Sequence, residues 1–119
     1  MAVVINVKVA ELRKRGYNSF LEWASDPKHV YVGRNMTVYV PGTVASPLAN
    51  PYSAKQFGRR ECVEKYIELL KRSPDMIEKI RQMKQAGVTE IGCWCAPELC
   101  HGDIIAALIN QDLKQEDKN

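Results

Sequence analysis

Val88-Thr89-Glu90-Ile91-Gly92-Cys93-Trp94-Cys95-Ala96-Pro97-Glu98-Leu99-Cys100-His101-Gly102-Asp103 runs directly into Ile104-Ile105-Ala106-Ala107-Leu108-Ile109. The opening residues are apolar and β-prone, and the closing run has the look of a buried helix. Between them stand a proline, two glycines, three of the chain's four cysteines and one of its two histidines. The stretch reads as strand, reactive turn, helix. The strand is expected over Val88–Cys95, the helix to about Leu113, and residues 115–119 as a frayed polar tail.

Working outward, Ser73-Pro74 gives an N-cap followed by proline at the first helical position. Met76, Ile77, Ile80 and Met83 supply one face of that helix, and Gly87 closes it. Before it, Gly58-Arg59-Arg60-Glu61 opens another helix, with Cys62, Val63, Tyr66, Ile67, Leu69 and Leu70 on its apolar face. Ser46–Tyr52, with two prolines and an asparagine, excludes regular structure and either connects or wraps a ligand. His29–Arg34 is strand-like and ends in Gly33-Arg34. Met36–Val40 reads as a third short strand, and Pro41-Gly42 as a turn. Asn18, or Ser19 with Glu22 as its capping-box partner, starts a short helix through Trp23 or Ala24. Glu11–Gly16, carrying Arg13-Lys14-Arg15, reads as a solvated loop. Ala2–Val9 is a β-branched strand expected near the middle of a sheet.

Strands alternating with helices imply a single α/β domain over residues 1–119. The expected form is three-layered and Rossmann-like, with a small, largely parallel central sheet flanked by helices. Ligands of such sheets sit beyond the carboxyl ends of the strands. Gly33-Arg34 and Cys93–Cys95 both fall there, which points to one shared pocket. No apolar run approaches the roughly 20 residues of a membrane span, and no leader is visible. A cytoplasmic protein with reduced thiols is expected, so the cysteines read as site or core residues rather than as a disulfide framework. A net charge of +3 suits an anionic small molecule and is too weak to argue for nucleic acid, which is not expected as a partner. No membrane partner is expected, and oligomeric state is not legible.

Four pieces of sequence resemble a small uncharacterised α/β family of phages, other large DNA viruses and bacteria, known only as a domain of unknown function. They are Tyr31-Val32-Gly33-Arg34; Asn50-Pro51-Tyr52; Arg59-Arg60-Glu61 with Tyr66; and Gly92–Asp103, which has the form GCWCxPxxCHGD. A broader bacterial family, also of unknown function, is similar in having a strand that ends in cysteine and Cys-His-Arg opening a helix. This chain has Gly102 in place of that arginine. The resemblance implies a fold and a site and brings no activity with it.

Three chemistries suit the Cys-His turn. In the first, it is an anion or nucleotide pocket. A helix N-terminus offers free N–H groups and a positive dipole end. Gly102 would let a ligand approach the backbone, and Gly33 lies beside Arg34. Arg34, Arg59 and Arg60 would clamp phosphate. Asn50 and Tyr52 would address a base or ribose, and Asp103 would cap the helix or take a ribose hydroxyl. Arginines at a helix start oppose the dipole unless an anion is present. For a viral source, in the host cytoplasm, this becomes a non-enzymatic sponge for a nucleotide signal. In the second chemistry, a cysteine attacks a nucleotide-like substrate in transfer or hydrolysis. Cys100 lies at a helix start, where a thiol pKa falls. Cys95 attacking with His101 as acid/base is geometrically freer, with Asp103 or Glu98 orienting the histidine. Neither chemistry calls for a cofactor. The third is zinc, held by Cys93, Cys95, Cys100 and His101. Cys93 and Cys95 would share a strand face, Cα atoms about 6.6 Å apart. The plain alternative is burial of cysteine as a small apolar residue, which fits Cys62 best. Trp94 and Trp23 are expected in packing, Tyr66 in the core with its hydroxyl at the pocket edge, and His29 at the surface.

Overall fold

The computed structural model describes residues 1–111. Its elements are β1 Val3–Asn6, α1 Val9–Lys14, α2 Phe20–Ala24, β2 His29–Tyr31, α3 Ala54–Phe57, α4 Arg59–Lys71, α5 Pro74–Gln85, β3 Glu90–Cys93 and α6 His101–Asn110. The expected tail and the last turn to Leu113 lie outside the described residues.

The three strands are all parallel, in the order β1-β3-β2. Ile91 pairs with both Val4 and Val30, which sets one face of the sheet. On that face α4, α5 and α6 bury Tyr66, Leu70, Ile80, Met83, Ile105 and Ile109 with Ile91 and Val32. Because strand side chains alternate, Ile5, Gly92 and Tyr31 point the other way. There α1 and α2 bury Leu12, Phe20 and Trp23 against Ile5 and Val7. Helices on both faces make the molecule three-layered. A Cβ on Gly92 would lie 2.6 Å from both Trp23 and Val7, so glycine makes room for the indole against the central strand. The β1→β2 crossover runs over one face and the β2→β3 crossover returns over the other. The two connections therefore share one hand, as parallel α/β units require.

Local signals set most boundaries. Ser19 Oγ accepts from Glu22 N at 3.2 Å and starts α2. Pro74 stands in the first turn of α5, and Gly87 turns the chain after it at φ +76°. Several elements differ from the sequence reading. β1 lies at an edge: β3 is the strand buried along most of its length, and it takes the centre. Residues 9–14 are helical, not strand or loop, because Leu12 anchors a turn that leaves Arg13 and Lys14 in solvent. Met36–Val40 forms turns closed by Val40 N→Met36 O at 2.8 Å. Val38 and Tyr39 stay 90% and 78% exposed, so no apolar face exists to hold a strand. His29 is enclosed, stacked on Trp23 with ring centroids 5.0 Å apart and with Nδ1 2.8 Å from Trp23 O.

Residues 32–53 carry no helix or strand, yet the segment is tied down. Leu48 is fully buried and its carbonyl accepts from Tyr66 Oη at 2.6 Å. Asn50 Nδ2 donates to Cys62 O, and Asn50 Oδ1 accepts from Tyr52 N at 2.9 Å. This loop and α3 form a wall beyond the carboxyl ends of β2 and β3.

Candidate functional site

β3 ends at Cys93, and residues 94–98 bend away from the sheet before α6 begins. Cys95 is therefore not the next same-face residue of a strand; it is carried out on the bend. Asn6, an amide in an otherwise apolar strand, holds that bend. Its Nδ2 donates to Trp94 O at 3.3 Å and to Ala96 O at 3.0 Å, while its Oδ1 accepts from Lys8 N. The chain then returns so that Cys100, the N-cap of α6, meets Cys93. Cys100 Sγ donates to Cys93 Sγ at 3.3 Å, and Cys95 lines the same cavity as both. Cys93 and Cys100 are 1% and 3% exposed, whereas Cys95 is half-buried.

The electrostatics separate these thiols. Donation from Cys100, helped by the Arg59 guanidinium and opposed by burial, holds the Cys95 thiol down at about 5. Donation from Cys100 also draws Cys93 down, to about 7, with burial again opposing. The Cys100 thiol, donor to Cys93 and with Cys95 beside it, is itself pushed up. The helix-start expectation for Cys100 is thus reversed, because its two sulfur neighbours outweigh the dipole. Arg59 reaches Cys95 while donating Nη1–H to Leu99 O at 3.0 Å and pairing Nε with Glu98 at 3.1 Å.

His101 Nε2 lies 2.7 Å from Val32 O, and its ring packs edge-on to Tyr66 at 5.0 Å. A carbonyl only accepts, so Nε2 carries the proton and Nδ1 is the free lone pair. Burial lowers the His101 pKa, which favours the neutral ring. The backbone of Val32 orients this histidine, not Asp103 or Glu98. Asp103 Oδ2 instead accepts from Cys100 N at 2.9 Å and caps α6.

A cavity of about 310 Å³ opens at these groups. Cys93, Cys95, Cys100 and His101 line one side, and Gly33, Arg34, Asn50, Tyr52, Lys55 and Arg59 line others. Nine of the sequence-selected residues thus share one pocket with Lys55, which stands on α3, a helix with no clear sequence signal. Arg60 and Gly102 are not among the lining residues. Arg60 is exposed on the next position of α4. Gly102 is buried, and a Cβ there would lie 3.3 Å from Val4 and from Cys100 Sγ, so it serves the packing of α6 on β1. Asn50 spends its amide on tying the loop to α4 at Cys62 O and on Tyr52 N. Cys62 is core, as expected, with Sγ donating to Arg59 O at 3.2 Å. Tyr66 is fully buried and donates to Leu48 O, away from the pocket edge. Trp94 packs on Tyr31, to whose hydroxyl its Nε1 donates at 2.7 Å, and also borders the cavity. Among the described residues, no group of three or more His, Cys, Asp or Glu side chains is arranged to hold a metal ion.

Residues 18–111 match the model of a family described as a domain of unknown function, DUF4326. The chain is also 35% identical over 75 residues to an uncharacterised 12.4 kDa protein in the nrdA-td intergenic region of Enterobacteria phage T4. That match covers 55% of this chain and 62% of the phage protein. No solved structure matches the chain.

Proposed function

We propose that this chain, which belongs to the DUF4326 family, binds a phosphorylated or nucleotide-derived small molecule in the Cys-His cavity. One observation carries the reading. Arg34, Lys55 and Arg59 border the same cavity as Cys95 and His101, beyond the carboxyl ends of parallel strands. Arg34 and Lys55 are exposed and form no ion pair among the described residues, so both are available to an anion. Tyr52 and Trp94 offer aromatic surface for a base. The volume of about 310 Å³ lies at the small end of ligand sites, the range of a mononucleotide.

Processing of the ligand is the second reading, favoured by Cys95 and His101 lining the same cavity and by the lowered pKa of the Cys95 thiol. Cys95 would attack an electrophilic carbon or phosphorus, and the leaving group would depart with the bonding pair. Neutral His101, with Nδ1 open, would then take a proton from the water that releases the product. A sponge needs the cations but not the thiolate.

Native mass spectrometry of the full chain, purified without chelator, followed by titration with 5′-mononucleotides and inorganic phosphate, tests both readings. Arg34→Ala and Lys55→Ala are each expected to weaken mononucleotide binding about 10-fold, the scale of one charge-assisted hydrogen bond. Cys95→Ser should keep binding; if it also abolishes turnover of the bound molecule, the chain is an enzyme. Unchanged affinity in both cation variants would place the ligand elsewhere. A mass matching one zinc, lost together with folding on chelation, would move the thiols to the metal reading.

A further inference from the structure

The thiol cluster carries an inference independent of any ligand. Three sulfurs converge where nucleophilic attack would need only one. Cys95 faces the cavity beside Arg59, where solutes reach it. Cys100 lines the same cavity and is 3% exposed. Cys93, 1% exposed, touches Cys100 at 3.3 Å. A cysteine that is accessible, cation-paired and backed by a second thiol has the arrangement of an oxidation site with a resolving partner.

We propose that Cys95 and Cys100 form a hydroperoxide-oxidised thiol pair, in which Cys95 takes up the oxidant and Cys100 resolves it as an intramolecular disulfide. The Cys95 thiolate attacks the terminal peroxide oxygen. The O–O bond breaks, sulfur is oxidised by two electrons to the sulfenic acid, and the leaving alkoxide or hydroxide takes up a proton. Cys100 then loses its proton and attacks the sulfenic sulfur. The S–O bond breaks, and its oxygen leaves as water with that proton. Two thiols and one hydroperoxide give one disulfide, one alcohol or water, and one further water. The disulfide removes the Cys95 thiolate from the cavity, and a thiol reductant restores it.

The fold supplies the means for this closure. Cys100 is an N-cap with extended backbone (φ −150°, ψ 175°), outside the helix proper, and Cys95 stands on a bend outside the strand. Both residues thus lie outside regular strand or helix, with Cys100 in the capping box that joins it to Asp103. Cys62, the fourth cysteine, points to Arg59 O from α4, and burial raises its pKa, so it is expected to stay reduced.

The test is hydrogen peroxide treatment of the full chain, then cleavage after Glu98, which separates Cys93 and Cys95 from Cys100. The parent and Cys93→Ser are expected to yield a cross-link between the two peptides. Cys95→Ser should slow it about 10-fold or more, the margin between a reactive and a buried thiol. Cys100→Ser should accumulate a sulfenic acid on Cys95 that dimedone captures. Cross-linking of Cys95→Ser at the parent rate would overturn the proposal, as would one zinc per chain protecting the thiols of the untreated protein. A measurement on the parent alone guards against variants that fail to fold. With peroxide below one equivalent, dimedone should label Cys95 first; first labelling of Cys93 or Cys100 contradicts the assignment.

Discussion

Cys95 sits between a donor, Cys100, and a cation, Arg59, and both favour its charged form. The consequence is measurable as a pH profile. Iodoacetamide should alkylate Cys95 at a rate that is flat above about pH 6 and falls with a midpoint near 5. Arg59→Met removes the guanidinium and should move that midpoint up by roughly one pH unit. A parent midpoint near the ordinary thiol value of about 8.5 would show that neither neighbour acts on the sulfur. The same shift bears on stability, with a definite sign. The folded-state pKa lies below the unfolded one, so the folded chain binds fewer protons. The stabilisation is complete above about pH 8.5 and is lost as pH falls through about 5. His101, lowered by burial, works in the same direction. Acid therefore loosens this site from two sides. The candidate cysteines were legible in sequence because they crowd one short stretch. Their ranking was not, because it depends on Arg59, which reaches Leu99 across 40 positions. The part Val32 plays was not legible for the same reason: it holds His101 through a carbonyl, and every residue has one.

At the scale of elements, the site depends on how β3 is made to stop. Asn6 and Cys93 are register partners, and the Asn6 amide extends past the end of the sheet to hold Trp94 O and Ala96 O. Asn6→Leu fills the space but leaves both carbonyls without that donor. It is expected to cost about 1–3 kcal/mol in urea unfolding. It should also raise the Cys95 alkylation midpoint, since the bend no longer presents the thiol to Cys100 and Arg59. Unchanged stability with an unmoved midpoint would assign Asn6 no part in shaping the bend. An asparagine interrupting an apolar strand was visible in sequence; the carbonyls it serves, 88 and 90 positions away, were not. The elements divide in the same way. α2, α4 and α5 were readable from caps and apolar spacing, which are local. β1 was placed in the middle of the sheet and lies at its edge, because strand order is set by pairing between distant segments. α1 has a single buried anchor, Leu12, too little pattern to stand out against a basic run. Met36–Val40 has β-prone residues, but propensity without a face to bury does not make a strand.

For the whole molecule, the cavity lies where segments distant in sequence meet. β3 and the bend form one side, the start of α6 another, and the loop 32–53 with α3 the wall. These parts are held mainly by side-chain to backbone bonds, such as Asn50 to Cys62 and Tyr66 to Leu48, with little sheet or helix pairing between them. A ligand that bridges them adds contacts that the unfolded chain cannot make. At 100 times its Kd such a ligand stabilises by about 2.7 kcal/mol. For a domain of this size that is a rise in Tm on the order of 10 °C. A mononucleotide bound as proposed should produce such a rise and slow amide exchange in residues 32–57 and 93–101. It should leave α5, on the far side of the core, unchanged. In Arg34→Ala/Lys55→Ala, the rise at the same concentration should fall by about 2 kcal/mol or more, because two charge-assisted bonds are lost. Cys95→Ser should keep most of it. A rise of equal size in the double variant, or protection spread evenly over the chain, would mean binding elsewhere. The net charge of +3 would then be acting as a diffuse attraction, and added salt would remove the effect. A rise that survives 0.5 M salt in the parent and is absent from the double variant distinguishes a built pocket from a merely basic surface.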